Sequence, residues 1–132
     1  MEDYIMKEVS KIGEAISAML AKFRLHADNV DAVQLRGQVS AELSELLGAD
    51  IDSLISRDDF VTTLVSAHHF SNDDLNRLAE LLYAMLRADD GKDEVHHSYA
   101  KAIVLINKWL DGNDVAYSAS RHYVLEEMNR YF

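Results

Sequence analysis

Three features of this sequence predict an all-α fold. Apolar residues recur at helical spacing through most of the 132-residue chain, proline is absent, and the five glycines are thinly spread. Such spacing is typical of helices with one apolar face, whereas a loop-rich β-sandwich needs frequent turn residues. The length suits one domain. We therefore predict a single helical domain over 1–132, built as an antiparallel bundle of five to six helices.

The segment from Asp93 to Leu110 is predicted to be the central helix. Its apolar arc is wider than one neighbouring helix can bury, so we expect helices on two sides of it. The arc consists of Val95, Tyr99, Ala102, Ile103, Leu105, Ile106, Trp109 and Leu110.

Residues 1–25 are predicted to form an amphipathic N-terminal helix. Its apolar residues follow at alternating steps of four and three, which suits a helix lying nearly parallel to a partner helix. The partner belongs either to the same chain or to a second copy, so we expect packing on the rest of the chain or exchange within a homodimer. Gly13 interrupts the pattern and indicates close backbone approach there. The candidate self-association residues are Ile5, Val9, Ile12, Ile16, Met19 and Phe23.

The middle of the chain is predicted to contain two further helices and a single helical turn. Asp28 or Asn29 offers a cap for a second helix, which Gly48 ends. A helical turn is predicted over 50–55, and Ser56 with Asp59 has the form of a capping box for a third helix that ends near His69. The apolar set of the second helix is Val33, Val39, Leu43, Leu46 and Leu47.

The remaining segment, 71–132, is predicted to be like a helical hairpin with one more helix. Ser71 and Asp74 form a second capping pattern, and the chain turns at Gly91 and again at Gly112. Asp114 is the predicted cap of the last helix, which runs through Val115, Tyr123, Val124 and Met128. The buried face after Ser71 is predicted to be Leu75, Leu78, Leu81, Leu82 and Met85.

Leu75 to Leu110 resembles a tetratricopeptide-type helical hairpin, with small Ala79 and Ala100 where such hairpins place small residues. The turn is longer than usual, the closing proline is missing, and no second clean copy occurs at the expected period. The resemblance implies a tetratricopeptide-like bundle in which the first helix of the hairpin lines a concave surface.

The opening Asp3-Tyr4-Ile5-Met6-Lys7, followed by Ile12-Gly13, is similar to the start of a family of small uncharacterised bacterial helical proteins. That family begins DYIMR and continues into tetratricopeptide-like helices; here Lys7 takes the place of the arginine. The resemblance implies a bacterial, repeat-like helical fold, and it brings no catalytic residues with it.

The net charge of the chain restricts the classes of molecule that it is expected to bind. Thirteen Lys and Arg against 23 Asp and Glu give a formal net charge of −10, which repels nucleic acid and anionic membrane surfaces. A basic peptide or protein is compatible with it, and the charge can also serve solubility alone. The absence of cysteine, of a secretory leader and of a long apolar run leads us to expect a cytoplasmic protein.

No residue pattern demands a particular chemistry. Among the six histidines, Asp93 with His97 and His122 with Glu126 have helical chelating spacing, and each pair supplies two ligands. Nucleophile-elbow, HExxH and phosphate-loop motifs are missing. We therefore predict no catalytic residue, no cofactor and no metal site. A metal-binding protein or metal-dependent enzyme using His and carboxylate ligands is the alternative.

A row of polar residues on the helix after Ser71 is a candidate binding surface. It lies opposite the leucine face, and an aromatic ring flanked by hydrogen-bonding and charged groups can anchor a partner. Tyr83 could instead pack against the N-terminal helix. The row predicts a non-enzymatic helical module that binds a protein or peptide. It consists of Asn76, Glu80, Tyr83 and Arg87.

Overall fold

The computed structural model describes residues 2–25, 32–88, 91, 93–113 and 119–132, and of 2–10 and 119–120 it describes the backbone alone. Within these ranges the chain is all-helical, with no strand, as predicted. It has one helix more than the predicted five to six, because the turn predicted over 50–55 is a short helix in its own right. The helices are α1 (Glu2–Leu25), α2 (Ala32–Leu47), α3 (Ile51–Ile55), α4 (Phe60–Ala67), α5 (Asn72–Leu86), α6 (Glu94–Gly112) and α7 (Ala119–Met128), followed by a 3₁₀ turn (Asn129–Tyr131).

The central helix predicted from Asp93 to Leu110 is confirmed as α6, which packs against α3, α4, α5, α7 and the 3₁₀ turn. One detail of its buried face is wrong. Val95, in the first turn, is 45% exposed, whereas His96 and Asn107 are each only 2% exposed. The buried arc of α6 therefore contains two polar side chains.

Helix α5 is covered on two sides, by α1 and by α6. Its predicted face of Leu75, Leu78, Leu81, Leu82 and Met85 is fully buried. The capping box that begins the helix is also confirmed. The Asp74 backbone N–H donates to Ser71 Oγ at 3.1 Å, and the Ser71 backbone N–H donates to Asp74 Oδ2 at 3.0 Å. These bonds satisfy two backbone donors that the first turn leaves without helical partners.

Helix α1 lies along α5, and Gly13 faces that helix. A Cβ on this residue would stand 2.7 Å from Asp74 Oδ1 and 2.5 Å from Arg77 Nη1. Both atoms belong to side chains, so side chains of α5 approach Gly13 where the spacing predicted backbone. The next turns of α1 bury Ile16, Met19 and Phe23 in the core of the same chain. None of the helices in the described ranges has the length and apolar character needed to cross a membrane.

Two predictions for the segment from α2 to α4 are wrong. Gly48, at a φ of 66°, ends α2 as expected, but Val33 and Leu46 are exposed. The capping box predicted at Ser56 does not form. Ser56 ends α3, and Asp59 at the start of α4 makes no side-chain cap because Arg57 engages its carboxylate at 2.7 and 2.8 Å. The caps predicted at Asp28, Asn29 and Asp114, together with Val115, lie outside the described residues.

Two glycines provide a matched test of packing. A Cβ on Gly91 would stand 2.6 Å from Cε1 of His96, whose ring is buried, whereas Gly37 in α2 has no such neighbour within 4 Å. We expect Gly91→Ala to lower the free energy of unfolding by about 1–3 kcal/mol through overpacking. Gly37→Ala should raise it by about 0.5–1 kcal/mol through helix propensity. Urea denaturation measures both, and a shift in the same direction for the two variants would contradict the packing.

Tyr99 on α6 is only 2% exposed, and its burial makes the free energy of unfolding depend on pH in the alkaline range. Burial raises the pKa of Tyr99 to about 12, and the negative charge of Asp52 acts in the same direction. In the unfolded chain the phenol ionises near its ordinary pKa of about 10. Its contribution to stability is therefore complete below about pH 10 and is lost as the pH rises through about 12.

We expect the free energy of unfolding of the wild type to fall relative to that of Tyr99→Phe as the pH rises from about 9 to about 11. Parallel urea denaturation of the two proteins across this range measures the difference. A difference that does not change with pH would show that the Tyr99 hydroxyl is solvated in the folded chain.

Candidate functional site

A groove lies between α1 and α7 in the described part of the chain. Helix α1 packs on α5, α7 packs on α6, and the surface between the two outer helices encloses about 780 Å³. We call it the α1–α7 groove. It is lined by Leu20, Phe23, Arg24, Ala32, Asn76, Ala79, Glu80, Tyr83, Ala84, Arg87, Ala88, Ile103, Asn107, Arg121 and Val124.

All four residues of the candidate binding row line this groove. Asn76 and Tyr83 are half-buried, and Glu80 and Arg87 are exposed. An Asn76 N–H donates weakly to Glu80 Oε1 at 3.4 Å, so neighbours along the row also contact one another. The structure therefore brings together the residues that the helical spacing selected, and it places them in a concave surface.

Tyr83 is held by a three-residue network that joins α5 to α7. Its hydroxyl donates to Glu127 Oε2 at 2.5 Å, while Arg87 Nη1 donates to the Tyr83 oxygen at 3.0 Å and to Glu127 Oε1 at 2.8 Å. The Arg87 guanidinium also lies 5.6 Å from the centre of the Tyr83 ring, within cation–π distance. Tyr83 thus contacts α7, and the network fixes the position of α7 beside the groove.

The pKa of Tyr83 is raised, first by burial and then by the hydrogen bond to the Glu127 carboxylate, with Arg87 acting in the opposite direction. The phenol therefore remains a protonated donor at neutral pH. Glu127 was not among the predicted site residues, since its neighbour Glu126 gives the pair the pattern of a solvated helix end. In the structure Glu126 lies 3.2 Å from His122 and is exposed, whereas the Glu127 side chain is only 22% exposed.

Carboxylates balance the arginines of the groove. Arg24 Nη2 lies 4.0 Å from Glu80, Arg87 Nη1 lies 2.8 Å from Glu127, and Arg121 Nε lies 3.3 Å from Asp111. The Arg121 side chain is only 10% exposed. Because each cation has an anion close to it, the groove carries little net charge in a chain whose total is −10.

Two lining residues, Asn107 and Arg121, were absent from the predicted site. Both are nearly buried polar residues. Asn107 lies four residues after Ile103 and three before Leu110, and both of those are fully buried. This spacing places the amide on the apolar arc of α6 and could have identified it. Arg121 offers no such signal, because the position of α7 depends on tertiary packing.

The candidate self-association residues fall into two groups. Ile16, Met19 and Phe23 are buried in the core of the same chain, and Ile12 packs partly against it. The side chains of Ile5 and Val9 lie outside the described part. Self-association through the buried residues would require α1 to be exchanged between two copies, and it stays a prediction.

Of the two predicted histidine–carboxylate pairs, His122 with Glu126 forms, whereas Asp93 with His97 does not. Asp93 Oδ1 lies 2.6 Å from Nδ1 of His96 rather than of His97, because the Asp93 carboxylate caps the first turn of α6 and faces the residue three positions on. His97 contacts the Tyr131 carbonyl oxygen at 3.1 Å and the Phe132 ring. Nowhere in the described ranges do three His, Asp or Glu side chains converge on one possible metal position.

Comparisons with protein-family models, with curated proteins and with solved structures find no match to this chain. The α1–α7 groove is therefore interpreted from its own geometry.

The network around Tyr83 can be tested against an exposed tyrosine on α7. Tyr83→Phe removes the hydrogen bond that the hydroxyl donates to Glu127 and the one that it accepts from Arg87, and it leaves the Arg87–Glu127 ion pair in place. We expect a loss of about 1 kcal/mol in the free energy of unfolding. Tyr123→Phe is the control, since Tyr123 is 68% exposed and should show no change. Equal stability of the two variants in urea denaturation would mean that the network does not hold α7.

Proposed function

We propose that this chain is a non-enzymatic helical interaction module and that the α1–α7 groove binds a segment of a partner protein. One observation carries the proposal: the four residues of the candidate binding row, called the Tyr83 row below, line a single groove together with apolar side chains of four other helices. Binding surfaces commonly combine an apolar centre with an aromatic or arginine anchor and a hydrogen-bonding rim.

The apolar part of the groove supplies the affinity in this proposal. Leu20 and Phe23 lie on the α1 side, Ile103 on α6, and Val124 on the α7 side. An apolar side chain of the partner that fills this space gains roughly 25 cal/mol for each Å² removed from water. Ala79 and Ala84 on α5 are small, which leaves room for such a side chain between the outer helices.

Outside the groove, the net negative charge of the chain attracts basic parts of the partner. The ion pairs at the groove balance one another, whereas the rest of the chain carries the acidic excess that brings the total to −10. Basic residues that flank the apolar anchor would speed association and improve complementarity. The partner we propose is therefore a segment with an apolar centre and basic flanks.

We infer that the fold is a tetratricopeptide-like antiparallel arrangement centred on α5 and α6. The packing of these helices along one another supports this, as does the burial of small Ala79 and Ala100, which are 7% and 0% exposed. A relationship to the bacterial family with the DYIMR-type start belongs to the same proposal and rests on Asp3 to Lys7.

The proposal is tested by selecting short random peptides displayed on phage for binding to the wild-type chain. The selected peptides are synthesised, and their affinities are then measured for Ala84→Trp and Ala41→Trp. Ala84 lines the groove, so a tryptophan there should fill it and weaken binding at least about tenfold, or about 1.4 kcal/mol. Ala41 is an exposed residue of α2 outside the groove, and its variant should bind as the wild type does.

Circular dichroism and thermal unfolding of both variants establish that the bundle is intact. Selected peptides that bind Ala84→Trp as tightly as the wild type would show that the groove is not the binding surface. Peptides whose binding depends on zinc, manganese or iron would instead favour the metal-binding alternative.

A further inference from the structure

Asn107 differs from the other buried polar residues of the described ranges. Asp74 belongs to the capping box of α5, His96 contacts Asp93, and Arg121 contacts Asp111. Asn107 is 2% exposed in the C-terminal half of α6 and lines the α1–α7 groove. Its side-chain amide makes no hydrogen bond to the described part of the chain, and it is not among the buried polar atoms that lack a partner. The amide therefore faces the open space of the groove.

In the unbound chain such an amide bonds to water in the groove. A bound molecule that displaces this water must supply hydrogen bonds in its place, because an amide left unsatisfied costs free energy. The Asn107 side chain lies on the groove side of α6, where a bound molecule can reach it. The amide is thus available to a ligand of the groove, and its chemistry indicates which group that ligand presents.

A side-chain amide offers an acceptor oxygen and N–H donors in one plane. A carboxylate can only accept and an ammonium can only donate, so either would leave half of the Asn107 amide without a partner. A residue in an extended chain presents its backbone N–H and C=O on the same side, as strand pairing requires. One such residue can satisfy both halves of the amide.

A helical partner segment lacks this ability, since its backbone N–H and C=O groups bond within the helix. Building on the groove function proposed above, we propose that the partner segment crosses the groove in an extended conformation, with Asn107 hydrogen bonded to the backbone N–H and C=O of one of its residues. Side chains of the segment then project sideways, alternately towards Leu20 and Phe23 of α1 and towards Val124 of α7.

The test uses one of the phage-selected peptides whose binding is weakened by Ala84→Trp. Each peptide N–H is replaced in turn by an ester oxygen, which removes a single backbone donor with little change in shape. The dissociation constant of each ester is measured by calorimetry against the wild type, Asn107→Leu and Asn76→Leu. The last variant makes the same chemical change at the rim of the groove.

We expect one ester to weaken binding to the wild type about tenfold. The same ester should have no effect on binding to Asn107→Leu, and its full effect should remain with Asn76→Leu, which is the signature of a direct coupling. A merely structural asparagine would not produce the ester coupling.

Two results would overturn the inference, and they have different consequences for the proposed function of the groove. A peptide that is blocked by Ala84→Trp, is helical when bound and shows no ester effect coupled to Asn107 would refute the extended mode while leaving the groove as a binding site. Failure to select any peptide whose binding depends on the groove would remove both the inference and the proposed function.

Discussion

The architecture of this chain depends on the burial of α5 from two sides. Its leucine face is fully buried, with α1 and α6 packed against the helix. Once both neighbours are in place, only one strip of α5 is left uncovered, and the Tyr83 row occupies that strip. Helix α7 packs on α6 and is joined to α5 through the hydrogen bonds of Tyr83 and Arg87 to Glu127. The α1–α7 groove is the space that remains above the α5–α6 pair.

The predictions that hold are those that depend on residues close together in the chain. The leucine face of α5, the Ser71 capping box and the stop at Gly48 are each set by spacing or by local backbone chemistry. The shared helix face of the Tyr83 row belongs with them, because positions four, three and four apart lie on one side of a helix, whereas the role of the row in binding stays a proposal. The capping box predicted at Ser56 failed because a nearby ion pair, Arg57 with Asp59, occupies the carboxylate that it required.

What the sequence does not reveal is how separate helices meet. The pairing of Tyr83 and Arg87 with Glu127 joins residues forty or more positions apart, and helical periodicity carries no information about it. Asn107 is an intermediate case, since its spacing from Ile103 and Leu110 marks it as buried but does not indicate that a groove lies above it. Only one side of the candidate site could therefore be predicted from the sequence. The Tyr83 row follows from the helical spacing of α5 alone, whereas the opposite side of the groove depends on how the helices pack.

The central claim is that α5 and α6 form the platform on which α1 and α7 lie, and native-state hydrogen exchange in increasing urea tests it most directly. The account predicts that the slowest amides lie in α5 and α6 and exchange only on global unfolding. Amides of α7, which has the smaller interface, should exchange through a partial opening of lower free energy that leaves α5 and α6 protected. Exchange of α5 or α6 amides before those of α1 and α7 would contradict the account.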